Sequence, residues 1–297
     1  MKNDAVFAIV GIGLMGGSYA MALSKKGYTV LGIDTNQESI DFAVQKGLIA
    51  EGANATSQPD CEKLVNKADY IILALYPHEN IPWLRQYKAS LKPGAIITDL
   101  AGVKQCFVEE AQQFLAPQFE FIPTHPMTGR EVSGVQNATD ALFAQANFLI
   151  TPTSYNTQEG LQFAHWLANT LGFARVTELS VPHHDAAIGY VSQLTHAIAV
   201  SLMNANDDPL LPAVTGDSFR DLTRIADINA DLWSELFLEN AAALSTEIDQ
   251  FVASLQNLQT CLNQKDRQGL VKLFNQSSVR RRAFGQSKRQ QAVKNKE

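Results

Sequence analysis

Cysteine is scarce in this chain. Three occur in 297 residues, Cys61, Cys106 and Cys261, and no two share C-x-x-C spacing. That excludes a zinc signature and a disulfide framework, leaves no metal site to expect, and points to a reducing compartment. Long hydrophobic runs are missing as well. No stretch approaches the ~20 apolar residues of a membrane span, so no membrane partner is expected. The opening "MKNDAVFAIVGIG" runs straight into a strand and a glycine turn, without the apolar core of a signal peptide. Positive charge is in deficit: 24 Lys and Arg face 30 Asp and Glu, a net charge of -6, which argues against a general nucleic-acid binder. Internal repeats are absent. The expectation is a soluble cytoplasmic protein with roughly two domains at ~150 residues each.

The first half alternates short apolar runs with amphipathic segments. "VFAIVGIG", "TVLGID", "ADYIILAL", "GAIITDL", "FEFIPTH", "NFLITP" and "ARVTEL" read as strands. "LMGGSYAMALSKKG", "QESIDFAVQKG" and "TQEGLQFAHWLANTLG" read as helices, the second closed by Gly47. Strand–helix alternation with apolar strands predicts an α/β fold: a parallel sheet covered on both faces. After Pro182 the pattern becomes helical throughout. "AAIGYVSQLTHAIAVSLMNA" is apolar nearly all round, which suggests a helix buried among helices. The boundary is placed near residue 180, with 1–180 and 181–297 as the two domains. The basic end, "VRRRAFGQSKRQQAVKNKE", reads as a solvated, partly disordered tail.

"AIVGIGLMGGSYAMAL" places Gly11, Gly13 and Gly16 in G-x-G-x-x-G spacing, after a strand and at the opening of a helix. In that context the pattern is a dinucleotide fingerprint. Gly11 permits the tight turn, Gly13 lets the backbone approach a pyrophosphate, and Gly16 allows close helix–strand packing. The helix start at Leu14 and Met15 offers unpaired N–H groups to phosphate. Asp34 ends the second strand at the spacing of a ribose-binding acid, and its charge would repel a 2′-phosphate. "DTNQE" brings no arginine to neutralise it. The expected domain is therefore a Rossmann-type doubly wound sheet, and NAD is favoured over NADP.

In such folds ligands sit at the carboxyl ends of the strands. The residues there are "YPHEN" (76–80), "DLAGVK" (99–104) and "THPMTGRE" (124–131). His125 thus lies at the rim where hydride chemistry would occur. A general base is favoured there over a polar loop residue that caps a neighbour.

"VGIGLMGGS", "HPMTGRE", "SQLTH" and "FRDLTRIADINADLWSELFLEN", in that order, resemble the prephenate/arogenate dehydrogenase family of tyrosine biosynthesis. The resemblance covers nearly the whole chain and corresponds to forms without an attached chorismate mutase. It implies NAD-dependent oxidative decarboxylation of prephenate, or of arogenate, and a homodimer formed through the all-helical C-terminal domain. It implies that His125 takes the substrate hydroxyl proton and that Glu131 closes the site. It places His196 and Arg224 on substrate, Arg224 at a carboxylate, and Trp233 nearby. Gly102 departs from the pattern, standing where many members carry serine. That leaves the serine's contact to a water or backbone group.

The implied chemistry asks little of the protein. Removal of the hydroxyl proton while hydride leaves the ring expels carbon dioxide and yields an aromatic product, so orientation, a base and charge matching suffice. A dianionic substrate needs local cations, and Arg224 has the planar fork suited to a carboxylate. Arg130, Arg220 and Lys104 are further basic candidates. Structural alternatives stand beside each role. Arg224 could pair with Asp221 or Asp227, His196 could be a satisfied core histidine, and Trp233 could serve packing. His183 and His184, at a helix start, read as caps. Two other functions compete: a two-domain dehydrogenase of small 3-hydroxy acids, and a nicotinamide-sensing protein without catalysis.

Overall fold

The structure, a computed structural model, describes residues 4–294, with side chains for 4–284. Val6–Val10 (β1) enters the glycine turn and Leu14–Lys25 (α1) leaves it. Thr29–Asp34 (β2), Gln37–Gln45 (α2), Glu51–Asn54 (β3) and Gln58–Lys67 (α3) follow. Tyr70–Leu73 (β4), Pro77–Tyr87 (α4), Ile96–Asp99 (β5), Val108–Leu115 (α5) and Glu120–Ile122 (β6) complete a six-stranded sheet in the order β3-β2-β1-β4-β5-β6, parallel throughout.

Alternation along β1 builds two cores. Phe7 and Ile9 face one side with Tyr19, Leu23 and Phe163, while Ala8 and Val10 face the other with Leu31, Ile33, Leu64 and Ile71. Every one of these side chains is buried, so the strands read as apolar runs because helices cover both faces. Local chemistry sets the helix ends. The Asn36 side chain accepts the Ser39 N–H at the start of α2. Gly172, left-handed at φ +86°, closes the helix Gln158–Leu171.

The expected strand "FEFIPTH" is in fact two. Thr124–Met127 (β7) leaves the main sheet and pairs antiparallel with Asn147–Ile150 (β8), which pairs parallel with Arg175–Glu178 (β9) after the intervening Gln158–Leu171 (α6). Pro123 is the break. It has no N–H to continue the ladder, and its carbonyl accepts from Thr151 N–H at 3.0 Å. The sheet system is therefore parallel but for one pair.

From Val181 the chain is helical. Val181–Ile188 (α7) continues through a π-helical turn, Gly189–Gln193, into Leu194–Asn204 (α8). Leu211–Val214 (α9), Asp217–Thr223 (α10), a 3₁₀ turn at Arg224–Ala226, Ala230–Glu239 (α11), Ala241–Asn263 (α12) and Arg267–Lys294 (α13) follow. By compactness the chain forms two units, Met1–Leu244 and Ser245–Glu297. Within the first unit, as shown below, Asp185 of α7 bonds the loop after β5, Arg224 of the 3₁₀ turn bonds the loop after β7, and Glu235 of α11 bonds the start of α4. Two expectations change here. The continuous helix Val181–Asn204 is long and apolar enough, by length and composition alone, to cross a membrane. It nevertheless carries the buried polar side chains His184, Asp185 and Gln193, each hydrogen-bonded. The basic tail is helical as far as Lys294, and 295–297 lie outside the described residues.

Candidate active site

The turn between β1 and α1 has the geometry its glycines suggested. Gly11 sits at φ +91°, and a Cβ there would stand 2.4 Å from the Ala74 carbonyl oxygen. A Cβ at Gly16 would meet the Gly11 carbonyl oxygen at 1.9 Å, so α1 approaches the turn as closely as backbone allows. At Gly13 a Cβ would meet nothing within 4 Å, which leaves an open approach beside Leu14 and Met15. No side chain caps α1, so its first N–H groups face that opening uncompensated. Asp34 closes the far side, accepting Ile12 N–H at 2.5 Å and Asn36 N–H at 2.8 Å. Anion cradle and ribose acid thus stand at neighbouring strand ends, an arrangement that fits a dinucleotide.

His125 is anchored from below. Its neighbour Thr124 donates its hydroxyl to the Asp99 carbonyl at 2.7 Å and its N–H to the Asp99 carboxylate at 3.2 Å. Lys104, wholly buried, pairs with the same carboxylate and donates to the carbonyls of Ala101, at 2.9 Å, and Thr124, at 2.6 Å. Burial pushes the Asp99 carboxyl up and the Lys104 amine down, against their mutual attraction. All three ammonium protons are used, so Lys104 is not the substrate cation it was a candidate to be. It is the peg that ties the loop after β5 to β7.

His125 Nδ1 lies 2.9 Å from His184 Nε2, and His184 Nδ1 lies 2.6 Å from the Asp185 carboxylate. Asp185 also accepts the backbone N–H groups of Lys104 and Gln105. His184 is therefore no cap. Ser180 caps α7, accepting the His183 N–H, while the His184 ring is fully buried behind His125. Burial, then the His184 ring and the Lys104 charge, hold His125 well below the usual imidazole range. Burial lowers His184 too, although the Asp185 bond works in the opposite direction. Asp185 stays below the ordinary carboxylate range. Burial opposes its charge, but the His184 bond and the two backbone N–H groups outweigh it. The outer nitrogen of His125 faces Gly102: a Cβ there would lie 3.9 Å from Nε2 and 3.3 Å from Leu236 Cδ2. The departure at Gly102 thus falls directly against the candidate base.

Leu236 leads to the second group of residues. One turn earlier on α11, Trp233 stacks on His196 of α8, ring centroids 3.6 Å apart and planes at 28°. His196 Nδ1–H donates to the Ser192 carbonyl at 2.8 Å, which leaves Nε2 with a lone pair in the neutral ring. Burial lowers its pKa, with the Arg224 charge adding to the effect. Arg224 pairs through Nη1 with Glu131, and not with Asp221 or Asp227. Glu131 is held below the usual carboxylate range: burial works against its charge, while its own backbone N–H and Arg224 support it. Arg220 is engaged locally by Asp217 and the Thr215 carbonyl. The start of α4 joins the same assembly. Glu235 accepts the His78 backbone N–H at 2.8 Å and lies 2.6 Å from its ring, and it raises the pKa of that ring.

The structure therefore brings His125, His196, Arg224, Glu131 and Trp233 together around α11 and the loop after β7. Sequence reasoning missed His184, Asp185 and the Asp99–Lys104 pair. The adjacency of His184 and Asp185 just after a helix start was the one available signal.

Comparison with known proteins gives the family. Residues 19–177 match the family model "Prephenate dehydrogenase, nucleotide-binding domain", and residues 180–276 match "Prephenate dehydrogenase, dimerization domain". The chain is 31% identical over 285 residues to a prephenate dehydrogenase of Lactococcus lactis, covering 93% of this chain and 76% of the relative. It is 30% identical over 288 residues to a cyclohexadienyl dehydrogenase of Zymomonas mobilis, covering 93% of this chain and 95% of the relative. Among solved structures, prephenate dehydrogenase from A. aeolicus, in complex with hydroxyphenyl propionate and NAD+, superposes with a TM-score of 0.86 at 30% identity over 94% of this chain and 98% of that one. The two family models, covering residues 19–177 and 180–276, and the Lactococcus relative place this chain in the prephenate dehydrogenase family.

Proposed function

We propose that this chain oxidatively decarboxylates prephenate to 4-hydroxyphenylpyruvate, with NAD as hydride acceptor. The observation that carries the reading is a neutral imidazole whose outer nitrogen faces Gly102, together with the Trp233–His196 stack and the partly exposed Arg224–Glu131 pair. The names of the similar Lactococcus and A. aeolicus proteins favour prephenate over arogenate. Gly11, Gly13, Leu14, Met15 and Gly16 hold the dinucleotide phosphates, and Asp34 reads the ribose. When bound, NAD supplies the acceptor for hydride from the ring. His125 Nε2 takes the ring hydroxyl proton, the electron pair left on oxygen helps expel hydride from the same ring carbon, and the bond to the ring carboxylate breaks with its electron pair entering the ring as carbon dioxide leaves. Arg224 receives a substrate carboxylate, with Glu131 as the partner it exchanges. His196, held flat against Trp233, presents Nε2 to substrate.

The two functional segments are 1–180 and 181–297, and the protein acts in the cytoplasm as a homodimer. Ile248, Val252, Leu255 and Leu262 form an exposed apolar stripe on α12, the kind of face a second copy would cover. Steady-state kinetics on prephenate and on arogenate, each with NAD and NADP, test the reading. Prephenate with NAD is expected to give the highest kcat/KM, with one carbon dioxide released per NADH. No turnover of prephenate would refute it, and arogenate turnover alone would reassign the substrate.

A further inference from the structure

The mechanism above uses only the outer nitrogen of His125. Behind the ring stands a polar chain that it leaves unexplained: His125 Nδ1, His184 Nε2, His184 Nδ1 and the Asp185 carboxylate, spaced 2.9 and 2.6 Å. His184 and Asp185 are buried, and the chain has a direction. Asp185 is fixed as an acceptor, because its oxygens receive the N–H groups of Lys104 and Gln105 at 2.8 to 3.2 Å. It can therefore bond the His184 ring only if Nδ1 carries the proton. A neutral His184 then has its lone pair on Nε2, so the facing His125 nitrogen, Nδ1, must be the donor. That leaves the His125 lone pair on Nε2, at Gly102.

We propose that His184 and Asp185 are positioning residues which lock His125 into the Nδ1–H tautomer. The proposal rests on His125 being the base. In the step itself the substrate O–H bond breaks, its electron pair stays on oxygen, and the proton bonds to His125 Nε2. The Nδ1 proton stays in its bond to His184, whose lone pair, backed by the Asp185 charge, faces the new imidazolium. The opposing cation Lys104 is already neutralised by Asp99. Asn240 fixes the backbone of the pair, donating to the Asp185 carbonyl at 2.9 Å and to Gln193 Oε1 at 2.7 Å. The groups facing these rings are Lys104 and Asp99 from the β5 loop and Asp185 from α7, with Cys106 beside Asp185.

The direction of the chain makes the proposal testable. Asp185→Asn keeps an acceptor for the backbone N–H groups but can turn an NH2 toward His184. That reverses both tautomers and puts a proton on His125 Nε2. Ring ¹⁵N NMR of the native protein above pH 7 should show His125 with a pyrrole-type Nδ1 and a pyridine-type Nε2. In Asp185→Asn the two signals should exchange character, and kcat should fall on the order of 10²–10⁴-fold, with KM for NAD and the melting temperature nearly unmoved. A native His125 protonated on Nε2 overturns the proposal, even if no variant folds. So does Asp185→Asn with native ring signals and native kcat. His125→Asn, measured alongside, separates the two layers. Full activity there would remove the base assignment, while the ring signals would still report whether the tautomer is locked.

Discussion

Replacing Arg224 by alanine tests the carboxylate clamp, and the structure refines its size. A charge-assisted hydrogen bond contributes about 1.5–3 kcal/mol net. Arg224 is not idle before substrate arrives, however, because it is paired with Glu131, and the two side chains are 63% and 38% exposed. An ion pair that exposed is worth ~0–1 kcal/mol, and binding must exchange it. The difference, about 0.5–3 kcal/mol, predicts a rise of about 2- to 150-fold in the Michaelis constant for prephenate on Arg224→Ala. Glu131→Gln removes the competitor and should lower that constant by up to about 5-fold. In the Glu131→Gln background the cost of Arg224→Ala should reach its full range, about 10- to 150-fold. Arg224→Lys should recover only part, since an ammonium cannot reproduce the fork. The assay is initial-rate kinetics at saturating NAD, with thermal unfolding of each variant. A native Michaelis constant together with a lowered melting temperature in Arg224→Ala would refute the clamp and leave Arg224 as a tether for the Glu131 loop.

The base must be neutral to work, and the pKa of His125 is lowered. kcat/KM should therefore stay flat from pH 8 through the ordinary imidazole range of ~6.5 and fall only well below it; a decline centred at ~6.5 would contradict the buried environment. The same shift bears on stability. Below ~6.5 the unfolded chain binds protons that folded His125 and His184 refuse, so denaturation midpoints should fall as pH drops through that range. Asp34→Asn combined with Thr35→Arg should shift kcat/KM toward NADP, and native use of both cofactors would displace Asp34 from the ribose. Lys104→Met should cost about 3–5 kcal/mol in urea unfolding, because it strands the buried Asp99 carboxylate; a loss under 1 kcal/mol would mean that Asp99 takes a proton cheaply.

How legible each part was depended on whether its cause is local. Gly11, Gly16 and Asp34 could be read directly, since a tight turn and a strand end announce themselves in spacing. β3 could not: "EGAN" is a short polar edge strand with no apolar alternation to mark it. The split of "FEFIPTH" hinged on Pro123, whose missing N–H matters only once the neighbouring strand is known. Lys104 read as a candidate substrate cation because burial is a tertiary property. His184 looked like a cap because Pro182 marks a helix start, whereas its partner lies 59 residues earlier in the chain. Arg224 had two acids close by in sequence and chose one 93 residues away.

The π-helical turn at Gly189–Gln193 acts as an angular shim. His184 and His196 are twelve positions apart. At about 100° per residue an unbroken α-helix would set their directions about 120° apart. A π turn absorbs one extra residue, so the net rotation is that of eleven steps, which leaves the two rings about 20° apart. One rod thus points both histidines the same way, His184 toward His125 and His196 toward the Arg224–Glu131 pair. Straightening this turn into regular α-helix with all its residues kept would swing one histidine by about 100° and uncouple the two without touching either ring, whereas deleting one residue would leave them aligned.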